Sequence, residues 1–284
     1  MAKVALVTDS TSYIPKEVRE KYPITVVPQV VIWEGVSYED DVTMTTDQFY
    51  TRLRTAKVMP TTSQASVVNM HTAFSTLLEQ GYEVLGMFVS SKLSGTYQSA
   101  VLARDELTSG KDKIEIIDTE TVAMALGFEV LTAARAAQDG ASMADCKALA
   151  NKAHEHTGVY LTVETLEFLH RQGRIGGAQR FLGTALNLKP ILAVEGGRIE
   201  PVERVRTRSK ALERVVEIVV EKCSGKTPIR IATLHADSPN DAKLILDKIT
   251  PILNPIESIF AAVSPAVGAN AGPGTVGLAF MAGM

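Results

Sequence analysis

Tyr82–Ala100, YEVLGMFVSSKLSGTYQSA, is the stretch whose reading decides the fold. Val84, Leu85, Met87, Phe88 and Val89 make a short apolar run, the pattern of a strand buried on both faces. Ser90, Ser91, Ser94, Gly95 and Thr96 then form a hydroxyl-rich turn that leads into a helix. Such a turn offers free backbone N–H groups and the positive end of the helix dipole. It suits a small anion, a phosphate or a carboxylate. One such turn, taken alone, reads more readily as an ordinary N-cap.

Two further turns of the same kind shift that balance. Pro60–Ser66 (PTTSQAS) places Thr61, Thr62, Ser63 and Ser66 just before a helical stretch, Val67–Gln80. Asp9-Ser10-Thr11-Ser12 follows the first strand, Val4–Val7. In an open parallel sheet the loops at the carboxyl ends of the strands line one crevice, where ligands bind.

Around these turns the first half alternates strand and helix. Ile24–Ile32 reads as a strand, and Thr45 with Gln48 as a capping box. A strand at Ile114–Ile117, a long helix over Val122–Gln138 and a helix over Met143–Glu155 follow. The second half mixes hairpins with helices. Pro190–Val194 and Ile199–Val205 join through Gly196-Gly197, and the helices Lys210–Lys222 and Asn240–Ile252 alternate with strands. The expected fold class is α/β: an N-terminal parallel-sheet α/β domain, 1–157, and a C-terminal α+β domain with a largely antiparallel sheet, 158–284.

The 284 residues are 45% apolar and 21% charged, enough for a sizeable core. A net charge of −3 argues against bulk binding of nucleic acid. Cys146 and Cys223 match no metal or CxxC spacing and read as reduced structural thiols. No apolar run approaches ~18 residues, and the start is too short for a signal segment, so a soluble cytoplasmic protein is expected.

No catalytic or metal motif stands up. Gly272-Pro273-Gly274-Thr275-Val276-Gly277 fits GxGxxG, but only seven residues follow, too few for the rest of a dinucleotide site. We read Pro265–Gly277 as a flexible loop close to a ligand or a neighbouring strand. No GxSxG elbow surrounds Ser94, and no base can be placed beside it. His154 and His156 read as solvated, and His235 as a histidine of a surface loop. From Arg171 to Lys210 nine basic residues face three acidic ones. That stretch is either a solvated face or a docking surface for an acidic partner or for anionic lipid head groups.

Taken together, the motifs resemble the DegV family, the fatty-acid-binding subunits of bacterial fatty acid kinase. They are VTDSTSYIP (Val7–Pro15), TTSQAS (Thr61–Ser66), SSKLSGTYQSA (Ser90–Ala100), ETLEFLHRQGRI (Glu164–Ile175), LNLKPIL (Leu186–Leu192) and VGANAGPGTVGL (Val267–Leu278). The resemblance implies one fatty acid between two domains, its tail in an apolar tunnel and its carboxylate held by Thr62 and Ser94. Asn270 stands where the family commonly has histidine, and its amide donates without carrying a charge. Ser10, Ser63, Ser91, Gly95, Thr96, Gly268 and Gly272 represent the loops expected to line the pocket. Arg171 and Arg174 are expected to dock a partner. The resemblance further implies no cofactor, no metal and no catalysis by the chain itself. Its partners would be a long-chain fatty acid and an ATP-binding kinase subunit that makes an acyl phosphate, with transient contact to a membrane surface. The other reading in play is an enzyme or sensor for a small phosphorylated metabolite.

Overall fold

A computed structural model describes residues 3–182 and 188–284. The Leu186-Asn187 part of the LNLKPIL motif lies outside the described residues. The chain opens with β1 (Val4–Asp9), a 3-10 turn over Ser10–Ser12, and the four-residue α1 (Lys16–Arg19). Next come β2 (Ile24–Val27), β3 (Val30–Trp33), β4 (Val36–Glu39), α2 (Thr46–Leu53), β5 (Thr61–Ser63), α3 (Val67–Glu79), β6 (Glu83–Phe88) and α4 (Thr96–Glu106). The middle of the chain is β7 (Ile114–Asp118), α5 (Ala123–Gln138) and α6 (Met143–His154). The remainder begins with β8 (Thr157–Thr162), α7 (Glu167–Arg171), β9 (Lys189–Glu195), β10 (Arg198–Val205) and α8 (Arg208–Cys223). It ends with β11 (Ile229–His235), α9 (Pro239–Leu253), β12 (Glu257–Ile259), α10 (Pro265–Ala271) and β13 (Val276–Ala282).

The opening stretch lands as expected. β6 is an inner strand of a parallel sheet ordered β2-β1-β6-β7, and α4 follows its turn. The second sheet is ordered β10-β9-β8-β13-β11-β12 and is antiparallel except for the β11/β12 pair. A third sheet, β4-β3-β5, was not anticipated. It arises because the Ile24–Ile32 run is not one strand. Pro28 has no N–H to give to a ladder, so the run breaks at Pro28-Gln29. Ile24–Val27 pairs with β1, while Val30–Trp33 pairs with β4 and β5. Thr61–Ser63 is correspondingly a strand rather than part of a turn; Ser66 behind it caps α3, accepting from Asn69 N–H at 3.0 Å.

α5 joins the two larger sheets. It packs on β1 and β6 of the first and on β8, β11 and β13 of the second. A helix covered on both sides must be apolar nearly all round, and residues 123–131 of α5 are buried without interruption. Gly127 is required here by space: a Cβ would lie 2.5 Å from the Ser12 carbonyl oxygen.

The one acid in that buried run is Glu129, 1% exposed. It accepts from Thr157 Oγ1 at 2.9 Å, and His154 Nδ1 lies 3.2 Å from it. His156 Nδ1 lies 2.9 Å from the Ala282 carbonyl oxygen. His154 is exposed, as its sequence context suggests, but it is paired with Glu129; His156 is half-buried. Burial raises the Glu129 pKa, and the bond to Glu129 raises that of His154. Both shifts mean that the folded chain holds protons more tightly than the unfolded one. The stability His154 contributes is complete below the ordinary histidine value and is lost as pH rises through its folded value; that of Glu129 is complete only below the ordinary carboxyl value. Melting temperature is expected to fall by a few degrees between about pH 6 and pH 8. His154→Gln should flatten that slope; an unchanged slope in the variant would assign it to other groups.

Candidate functional site

Between the sheets lies a cavity. Its wall is mostly apolar and drawn from both halves: Val89, Val122 and Ala123 from one, Val159, Leu161, Leu234 and Val263 from the other. β8 supplies Val159 and Leu161 because side chains two apart on a strand share a face. Its polar groups include Thr11, Gln29, Thr62, Ser63, Ser94 and Asn270.

The three residues expected at the head group, Thr62, Ser94 and Asn270, all line this one cavity. Asn270 Nδ2 donates to Thr62 Oγ1 at 3.2 Å and to the Ala266 carbonyl at 2.8 Å, tying α10 to β5. Ser94 Oγ lies 2.9 Å from Thr96 Oγ1. The turn of Ser94 is stapled to the segment after β5 by Ala65 N–H, which donates to Thr96 Oγ1 at 3.2 Å.

Among the loop residues expected to line the pocket, only Ser63 does so. Ser10 faces an outer cleft and donates to Asp40 at 2.6 Å. Ser91 is exposed, and its N–H donates to Asp118. Gly95 is the N-cap of α4 and packs on Gln64. Thr96 is fully buried behind Ser94. Gly268 and Gly272 serve close packing: a Cβ would lie 2.3 Å from the Tyr50 hydroxyl at the first and 2.4 Å from the Phe168 ring at the second. They belong to a short helix and its end, not to the flexible loop read over Pro265–Gly277. Small residues allow that helix to be buried on α2 and α7, so no amphipathic pattern marks it.

Arg174 also corrects its expectation. It is not on an open docking face but lines the cavity, half-buried. Its guanidinium donates to the Leu93 carbonyl at 3.2 Å and to the Gln172 carbonyl at 2.5 Å. Backbone carbonyls satisfied at close range draw the charge inward. Arg171 is exposed and pairs with Glu167 one turn away. Among the described residues Arg174 is the one cationic side chain in the wall, and it favours an anionic occupant.

Two buried carboxylates stand behind the site. Asp9 accepts from Thr11 N–H, Thr11 Oγ1 and Val89 N–H at 2.7–2.9 Å, and burial raises its pKa. Asp40 accepts from Ser10 Oγ and from Ala266 N–H at 2.8 Å, and burial pushes its pKa up to about 6. His235 ends β11, 8% exposed against Phe260, and is not a surface-loop histidine. Among the described residues no histidine or cysteine lines the cavity, and no cluster of His, Cys, Asp and Glu is set to hold a metal. No described helix is long and apolar enough to cross a membrane.

Sequence reading missed Gln29, Tyr13 and the residues of the apolar wall, while Thr11 belongs to a turn expected at the crevice. Gln29 left a signal, a lone amide inside a β-branched run. The wall left none, because its residues pattern like ordinary core.

A family model described as "Uncharacterised protein, DegV family" matches residues 3–283. A DegV domain-containing protein of Streptomyces coelicolor is 35% identical over 277 residues, 97% of each chain. Protein DegV of Bacillus subtilis is 33% identical over 282 residues, 97% of this chain and 98% of that one. Two solved structures share the fold. A fatty-acid-binding DegV family protein from Thermus thermophilus superposes with a TM-score of 0.92 at 33% identity, covering 99% of each chain. DegV of Bacillus subtilis, described as a fatty acid binding protein, superposes at 0.90 with 31% identity, covering 99% of this chain and 100% of that one. The match runs from β1 to the last strand, through both sheets and every element that lines the cavity, and the chain belongs to the DegV family.

Proposed function

We propose that the protein binds one long-chain fatty acid in this cavity and presents its carboxylate to a separate ATP-dependent kinase subunit. The observation that carries the reading is a largely apolar cavity whose polar groups include two hydroxyls and an amide brought together from β5, the turn before α4, and α10. Residues 1–157 and 158–284 are the two domains on either side of the ligand. The fatty-acid binding named for two solved relatives supports the reading.

Each buried CH₂ contributes ~0.8 kcal/mol, so a dozen methylenes give roughly 10 kcal/mol gross. A hydrogen bond to a charged head group gives about 1.5–3 kcal/mol. The wall thus sets affinity, while Thr62, Ser94 and Asn270 set orientation, with Arg174 supplying positive charge. A phosphorylated metabolite would leave the apolar wall unused. The chain performs no chemistry of its own in this reading; it works in the cytoplasm and touches the membrane surface only transiently. Arg171, exposed on the basic stretch, remains the docking residue.

Freshly purified protein should release a fatty acid on organic extraction, identified by mass spectrometry. Finding no lipid, together with no calorimetric uptake of added long-chain fatty acid, would sink the reading. A released sugar phosphate would favour the metabolite instead.

A further inference from the structure

Gln29 sits at the break between β2 and β3, 4% exposed. Its Nε2 donates to Thr96 Oγ1 at 2.8 Å. The same amide faces the Asp9 carboxylate, which is otherwise surrounded by donors. A carboxylate only accepts, so the nitrogen end of Gln29 is held towards it. Thr96 Oγ1 takes a second donor, Ala65 N–H. A hydroxyl has two acceptor positions and one proton. With both positions of Thr96 filled, its proton goes to Ser94 Oγ at 2.9 Å. Ser94 Oγ also accepts Thr96 N–H at 3.3 Å. Ser94 is left with a proton to give. Among the described residues its one protein acceptor is Gln29 Oε1, at 3.4 Å and the limit of a bond. The other direction open to that proton is the cavity.

We propose that Gln29 and Thr96 are positioning residues that polarise Ser94, committing it to donate to an acceptor-only head group. The donor chain runs from Gln29 through Thr96 and Ser94 to the ligand carboxylate, with Asp9 as its anchor. This rests on the fatty-acid reading of the cavity.

Gln29→Met tests it. The variant keeps the length of the side chain but gives nothing to Thr96, so an acceptor position on Thr96 Oγ1 opens to the Ser94 proton. Affinity for a long-chain fatty acid should fall about tenfold relative to wild type, the loss of a bond to a charged group. Melting of the unliganded variant separates misfolding from loss of the donor. An unchanged affinity in a folded variant would overturn the proposal. If Gln29→Met does not fold, Thr96→Val against Thr96→Ser decides. The valine should bind about tenfold more weakly and the serine should restore binding; equal affinities would overturn it. Failure of wild type to bind any fatty acid is a different result, and it would sink the fatty-acid reading instead.

Discussion

Val159→Trp is expected to remove ligand binding while leaving the protein folded. Val159 is buried in β8, and its side chain looks into the cavity beside Leu161. A larger side chain in a close-packed core forces strain. Here it has the cavity to enter, and it takes that space from the acyl chain. Displacing about four methylenes costs ~3 kcal/mol, more than a hundredfold in Kd. Calorimetric titration with a long-chain fatty acid measures the loss, and thermal unfolding shows that the fold survives. Normal binding by Val159→Trp would place the ligand elsewhere. Tyr160, between the two lining residues, packs on the opposite face with Phe280, their rings stacked with centroids 6.4 Å apart. Enlarging Tyr160 should therefore disturb packing, not the ligand.

Gly127→Ala is expected to carry the largest stability cost of any single methyl group on α5. Alanine favours a helix interior over glycine by about 1 kcal/mol. Against that gain, the new Cβ would lie 2.5 Å from the Ser12 carbonyl oxygen, a backbone atom that no rotamer change can move. Overpacking of this kind costs about 1–3 kcal/mol and in places more. A net loss of about 2 kcal/mol lowers the melting temperature by roughly 4–8 °C in a chain of this size. Because Tyr13 follows Ser12 and lines the cavity, ligand affinity should fall as well. A melting temperature equal to or above wild type would show that the turn and the helix are free to part.

The layered α/β class was legible because β6 and β1 are continuous apolar runs and because helices alternate with them. The third sheet was not. β5 is Thr61–Ser63, three hydroxyl residues with no apolar alternation, made a strand by backbone pairing with Val30–Ile32. Nor was the division of Ile24–Ile32, where one proline outweighs a run of β-branched residues. At the site, Thr62, Ser94 and Asn270 were legible through motifs, and the structure brings them to one cavity. Arg174 was misplaced because charge in sequence suggests surface, whereas carbonyls of Leu93 and Gln172 satisfy its guanidinium inside. Gln29 acts through a hydroxyl 67 positions away, a relation that no local pattern encodes.

The cavity is walled by both halves of the chain, so whatever fills it becomes a missing piece of the core. Folding and occupancy then draw on one free energy: at a hundredfold excess over Kd, a ligand adds about 2.7 kcal/mol to a stability that is typically about 5–15 kcal/mol. Proteases act on the opened chain, so the filled protein outlives the empty one. Its abundance in a cell would then rise and fall with the supply of lipid, a record of that supply kept without a dedicated sensor.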